Sequence, residues 1–280
     1  MMSRYAKRRL INWINMSIAV LMTMFGVFWV VWILWTTLRY GLPALSVHLF
    51  TQDTPPPGAS GGGLRNAFVG SLALLGIAVA IGTPIGVLAG TWLGEFALRH
   101  RFGTIVRFLN DILLSAPSIV IGLFAYAILV DPMGHFSALS GGVALALILI
   151  PVVVRTTDEM LRLVPGALRE AAIALGTPYW KMVVHITWKA ASTGMLTGII
   201  LGVARISGET APLLFTALNN QYFSLDLAHP MANLPVVIFQ FAMSPYTNWQ
   251  QMAWAGAFVA VTFILLLSFG SRWLLSRSKH

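Results

Sequence analysis

GALREAAIALGTPYWKMVVHITWK, residues Gly166 to Lys189, is a polar insert between apolar runs that are too long to be core segments of a soluble domain. Ala171, Ala172, Ile173, Ala174 and Leu175 are good helix formers. Pro165 suits a first helical position and Gly176 the left-handed residue that ends a helix, so the spacing predicts a helix from Gly166 to Leu175. Thr177 then reads as an N-cap and Pro178 as the first residue of a second short helix, with a sharp bend at Gly176 and Thr177. Ala171, Ala172 and Ala174 are small enough for a partner's groove to approach the backbone, with Arg169 and Glu170 at the edge. The stretch therefore reads as a docking element.

Composition sets its surroundings. With 57% hydrophobic and 10% charged residues and a mean hydropathy of +0.78, 280 residues cannot hide their apolar surface in one soluble domain. Charge-free stretches run Leu10 to Leu38, Ala67 to Gly94, Ile112 to Val130, Phe136 to Val154, Ala190 to Ala204 and Leu227 to Ser271. Since a crossing needs about 20 residues, these give an all-α, polytopic membrane protein with six transmembrane helices. The fifth reaches full length only by running through Arg205 and Glu209, and Asn233 to Met243, among Pro230, Pro235 and Pro245, is too short to cross, so the sixth begins near Gln251.

Of the 18 Lys and Arg residues, all but Arg39, Arg65 and Arg205 fall on one side of this layout: Arg4, Lys7, Arg8 and Arg9; Arg99, Arg101 and Arg107; Arg155, Arg162, Arg169, Lys181 and Lys189; Arg272, Arg277 and Lys279. Basic residues stay on the cytoplasmic side, which places both termini and the docking loop there and explains the +9 charge without a nucleic-acid partner. The basic start resembles a signal peptide, but its apolar run exceeds the 7–15 residues of such a region and is expected to remain as the first span.

The expected organisation is residues 1–40 as tail and first span, 41–65 as a periplasmic linker, 66–272 as the core with a cytoplasmic loop at 155–189, and 273–280 as a cytoplasmic tail. In the linker, Pro55 to Pro57 stiffen and Gly61 to Gly63 loosen the chain, as a hinge would. Gly82, Gly86, Gly90 and Gly94 recur every four residues in span two, as do Gly194, Gly198 and Gly202 in span five, marking helix faces that pack closely; static packing accounts for them, and the alternative is that they slide or rock in transport.

Several chemistries find no support. There is no cysteine, hence no disulfide or thiolate metal site, and His48, His100, His135, His185, His229 and His280 show no ligand spacing, so neither metal nor cofactor is expected. No Gly-Lys pair exists to build a phosphate-binding Walker loop. Gly58 to Gly62 matches a nucleophile elbow in letters only, following three prolines in a Gly-rich loop, so the chain is not expected to be an enzyme.

Glu170-Ala171-Ala172, three residues, Gly176, nine residues, Ile186 is similar to the EAA loop of importer-type ABC permeases, with Trp188 and Lys189 where that pattern ends in Leu-Pro. Leu64 to Ala67, Ser115 to Gly122, Val154 to Met160 and Ser207 to Thr216 extend the likeness, and together they resemble phosphate ABC transporter permeases of the PstA type. The resemblance implies a type I importer permease core in a bacterial inner membrane, translocating inorganic phosphate. It also implies a heterodimeric sister permease, two copies of an ATP-binding subunit and a periplasmic phosphate-binding protein. Glu170, Ala171, Ala172 and Gly176 would couple to the ATPase, while Arg205 and Glu209, read as one face of span five, would line the phosphate route. The alternatives are another oxyanion, or a secondary transporter; against the latter, the spans hold only Glu209 with Arg205 and show no inverted repeat.

Overall fold

The computed structural model describes residues 4–59, 61–97 and 100–277; Ser60, Arg99, Lys279 and His280 lie outside the described residues. Every regular element among the described residues is helical. Helix α1, Arg4–Gly41, is 38 residues long and stands clear of the rest, with none of its most apolar stretch buried. Only its end meets the core: the Tyr40 ring lies 5.2 Å from Trp254, and a β-carbon on Gly41 would fall 2.5 Å from that of Phe258.

The Pro/Gly segment that follows is fastened down. After α2, Val47–Thr51, capped by Ser46, Leu64 N–H donates to Leu49 O at 2.8 Å and Gly63 N–H to Asp53 O at 3.0 Å. Arg65 grips Asp53 with two hydrogen bonds of 2.9 and 2.8 Å, and Thr54 Oγ1 donates to Gln221 O at 3.0 Å. Gly62, at φ +91°, brings its backbone onto Pro55 where a β-carbon would collide at 2.6 Å. The glycines here allow tight turns, so the segment is a clasp and the expected hinge is not what they build.

Helix α3, Arg65–Thr91, continues through a π-turn, Trp92–Phe96, as one 32-residue apolar helix. The third span differs from expectation. It is two helices, α4, Arg101–Ser115, and α5, Ser118–Ala125, bent by 102°. The cause is local: Ala116 precedes Pro117, proline disfavours helical geometry in the residue before it, and both are extended, at ψ 136° and 133°. From α5 the chain passes a π-turn, Tyr126–Val130, and one turn of α6, Asp131–Met133, which Gly134 ends at φ +73°.

Helix α7, Ala138–Arg162, is the central element, capped by Ser137, whose hydroxyl accepts Ser140 N–H at 3.1 Å. Then come α8, Gly166–Ala174; α9, Tyr179–Met182; a π-turn, Val183–Thr187; α10, Trp188–Ile206; α11, Ala211–Leu214; α12, Leu234–Ala242; and α13, Thr247–Arg277. Among the described residues five helices are long and apolar enough to cross a bilayer, and six crossings result when the bent pair counts as one. The nine-residue α12 is too short to cross, as expected, and packs over the start of α3, where Leu234 N–H donates to Ser71 Oγ at 2.7 Å.

Both glycine ladders close on α7. Gly82, Gly86, Gly90 and Gly94 face Leu149, Val153, Thr157 and Leu161 in order, so α3 runs parallel to α7. Gly194, Gly198 and Gly202 face Met160, Thr156 and Leu149 in reverse order, so α10 runs antiparallel. In lipid no hydrophobic effect draws helices together, and such close backbone approach supplies the contacts instead. A β-carbon on Gly90 would sit 2.6 Å from both Thr157 Cβ and Val154 O, whereas on Gly76 of the same helix it would meet nothing within 4 Å. Overpacking costs about 1–3 kcal/mol and each kcal/mol about 2–4 °C, so Gly90→Ala should lower the Tm by about 5 °C in detergent and Gly76→Ala should not.

Candidate functional site

The loop helix is built largely as its sequence suggests. Gly176 N–H donates to Ile173 O at 2.9 Å and Thr177 N–H to Ala172 O at 3.2 Å, the paired bonds of a Schellman ending, with Gly176 at φ +78°. Two expectations are corrected. Pro178, at ψ 143°, holds the cap position and Tyr179 begins the second helix, so Thr177 does not cap it, and the Thr177 N–H closes the helix before. Nor is that helix a separate short one, because α9 continues through the π-turn into α10, making one span of 28 residues from Tyr179 to Ile206.

The two alanines of the motif part company. Glu170 and Ala171 are exposed, whereas Ala172 is buried against Met182 and Val183 and is therefore not part of a partner-facing surface. What the loop does present is apolar: Leu175 is 87% exposed, Trp180 60% and Ile173 49%. These side chains surround the left-handed turn at Gly176.

Arg169 does not sit at the edge. It turns inward, its Nη2 and Nε reaching the two carboxylate oxygens of Glu95 at 2.7 and 3.1 Å, and it also donates to Leu161 O at 2.7 Å and Val164 O at 2.6 Å, carbonyls at and just past the end of α7. The Glu95 side chain is 1% exposed, and the pairing holds the Arg169 guanidinium above its ordinary pKa. Tyr179 Oη donates to Glu95 O at 3.1 Å, and Trp188 Nε1 to Thr91 Oγ1 at 3.0 Å, so the base of α10 is tied to the end of α3 as well. Glu95 was not legible as a site residue; the available signal was an acid directly following an apolar span on the basic side.

A second charge cluster joins α4 to α7. Asp158 accepts from Arg107 at 2.8 Å and from Arg162 at 2.9 Å, and Arg155 pairs with Glu159 at 2.9 Å and Asp111 at 3.3 Å, around a cavity of about 170 Å³. Buried Asn110 donates to Pro151 O at 3.1 Å, fixing α4 in place above it.

Arg205 occupies the last turn of α10 and is exposed. Its neighbour Ile206 packs with Leu145 and Leu213, and Gly202 lies against Leu149, which sets Arg205 level with the first half of α7, the end opposite α8. Glu209 is not on the helix. Span five gains its length by starting at Tyr179 and stops at Ile206, so Glu209 lies half-buried in the following turn, its N–H donating to Ile206 O at 3.2 Å. The structure does not bring the two together: among the described residues neither side chain has a hydrogen bond or ion pair.

The family described as binding-protein-dependent transport system inner membrane component matches residues 82–280. Relatives called phosphate transport system permease protein PstA include one from Xylella fastidiosa strain Temecula1, 57% identical over 98% of this chain and 96% of its own. Another, from Haemophilus influenzae, is 53% identical over 99% and 98%. Among solved structures, a chain of the MetNI methionine ABC transporter in an inward-facing conformation superposes with a TM-score of 0.59 at 18% identity, covering 75% of this chain and 95% of that one, a likeness of fold.

Proposed function

Because the chain belongs to the family of binding-protein-dependent transport system inner membrane components, we propose that it is the multi-pass permease subunit of an ATP-driven importer that carries inorganic phosphate inward. The observation that carries this reading is the loop at α8, an exposed apolar knob, Leu175 with Ile173 and Trp180, on a rigid turn buttressed by buried charge. Such a knob suits a groove on a separate ATP-binding subunit, and the chain has no phosphate loop of its own. Two ATP-binding subunits, a sister permease in a heterodimer and a periplasmic phosphate-binding protein complete the assembly, with lipid around it. The basic-residue asymmetry supports an orientation with both termini and α8 in the cytoplasm.

Transport then proceeds by alternating exposure. The binding protein delivers phosphate to the outer side, Arg205 offers it a weak, transient cationic site, and Glu209, in the turn after α10 and unpaired with Arg205, adds a negative charge on the route that keeps the anion from being held too long. Glu170, Ala171 and Gly176 shape the surface on which the ATPase acts, and Ala172 holds α8 against α9. A single guanidinium does not distinguish phosphate from another small oxyanion, so selection belongs to the binding protein; the names of the relatives favour phosphate.

Purification through a C-terminal tag from native membranes should bring down the sister permease and ATP-binding chains. Vesicles rebuilt from them, with ATP on the tag side and binding protein on the other, should accumulate labelled phosphate and not sulfate. Isolation without an ATP-binding chain, or equal uptake of sulfate, would contradict the proposal.

A further inference from the structure

We propose that Glu95 and Arg169 form the strut through which movement of α8 is delivered to the paired helices α3 and α7, making Glu95 a positioning residue for coupling although it lies 75 residues before the loop motif. The inference rests on the reading of α8 as the ATPase docking helix. Every connection of the strut is short and directed. Arg169 is on α8, Glu95 is in the π-turn that ends α3, and the same guanidinium reaches Leu161 O and Val164 O at the end of α7. One side chain thus spans three helices with four acceptors, and Tyr179 brings in the base of α10 through Glu95 O.

The geometry requires the π-turn. Its extra residue closes Ala97 N–H onto Trp92 O at 3.0 Å and turns Glu95 inward, one position after Gly94 meets Leu161. Beyond that point α3 and α7 are meshed glycine by glycine, so a push on Arg169 moves them as a unit, since close-packed helices transmit displacement and do not absorb it. Exposed pairs such as Arg155 with Glu159, about half exposed on each side, would yield to solvent under the same load; Glu95, at 1%, has no water to exchange for Arg169.

The test uses the whole complex, rebuilt in lipid vesicles with binding protein and phosphate, and reads two quantities: ATP-binding subunit retained per permease, and phosphate moved per ATP hydrolysed. Glu95→Gln keeps the shape and removes the charge. Arg169→Lys keeps the charge but cannot reach four acceptors, and it decides alone where Glu95→Gln does not assemble. The expected result is retention of the ATP-binding subunit with at least a tenfold fall in phosphate moved per ATP. A wild-type ratio, or a loss of uptake matched by loss of the subunit, would overturn the proposal. If Leu175→Asp leaves the ATP-binding subunit bound, the docking reading itself is what has failed.

Discussion

Arg205→Gln is expected to abolish phosphate uptake while leaving the complex assembled and as heat-stable as before. The cation lies in the last turn of α10, level with Leu145 and Leu149 in the first half of α7, and makes no hydrogen bond or ion pair among the described residues. An ionised side chain costs about 2.5–3.5 kcal/mol near the bilayer centre and less toward the interface, so a lone arginine within the apolar layer is unfavourable unless it faces water or a ligand. Removing it deletes that cost and unpairs nothing, so the Tm should hold or rise slightly. A hydrogen bond to a charged group contributes about 1.5–3 kcal/mol, so loss of Arg205 should reduce anion occupancy by roughly 10- to 150-fold, and uptake with it. The competing account is a self-neutralising pair that holds the fold. It predicts that Arg205→Gln lowers the Tm and that adding Glu209→Gln restores both stability and uptake. A double variant transporting at the wild-type rate would end the pathway role of Arg205; a stable, inactive one agrees with it.

Leu175→Asp and Gly176→Val should each leave the protein inserted and folded but strip the ATP-binding subunit from it. Leu175, 87% exposed, has no packing to lose within this chain, so a charge there acts on the partner's groove alone. Central apolar anchors cost 2 kcal/mol or more when removed, about 30-fold in affinity. At Gly176 a new β-carbon meets nothing within 4 Å, so the effect of valine is purely conformational: at φ +78° it costs about 1–2 kcal/mol, relieved by unwinding the turn that aims Leu175. Ala172→Trp is a poorer probe, because at 5% exposure Ala172 is packed on Met182 and Val183 and the bulk would dislodge α8 itself. Co-purification of the ATP-binding chain, with a melting curve to show that the permease is intact, checks both variants. Full retention of the chain by either would reduce α8 to a surface helix.

Helix α8 was legible because a local device makes it: small helix formers, then one glycine that readily accepts a left-handed turn. The misreadings share a cause as well. Thr177 has the side chain of a cap, yet the second helix begins one residue later than that requires, at Tyr179 after Pro178, and where it begins depends on how α9 is held. Ile112 to Val130 is apolar throughout, and hydropathy does not register the 102° bend that Ala116 and Pro117 impose. The Pro/Gly linker has the composition of a flexible segment; its rigidity comes from Gln221, Asn66 and Leu49, of which Gln221 is more than 150 residues away.

The sequence by itself determined the membrane class, the apolar runs that supply the spans and the left-handed turn at Gly176, because each follows from composition or from interactions within one or two helical turns. Only the tertiary structure decided that both glycine ladders close on one helix, that Arg169 turns inward to Glu95, that Ala172 is packing and not surface, and that Arg205 stands apart from Glu209. Those outcomes depend on which neighbour lies across a helix face. In lipid that choice is made by shape and by the need to satisfy buried charge, to which no single segment's periodicity has access.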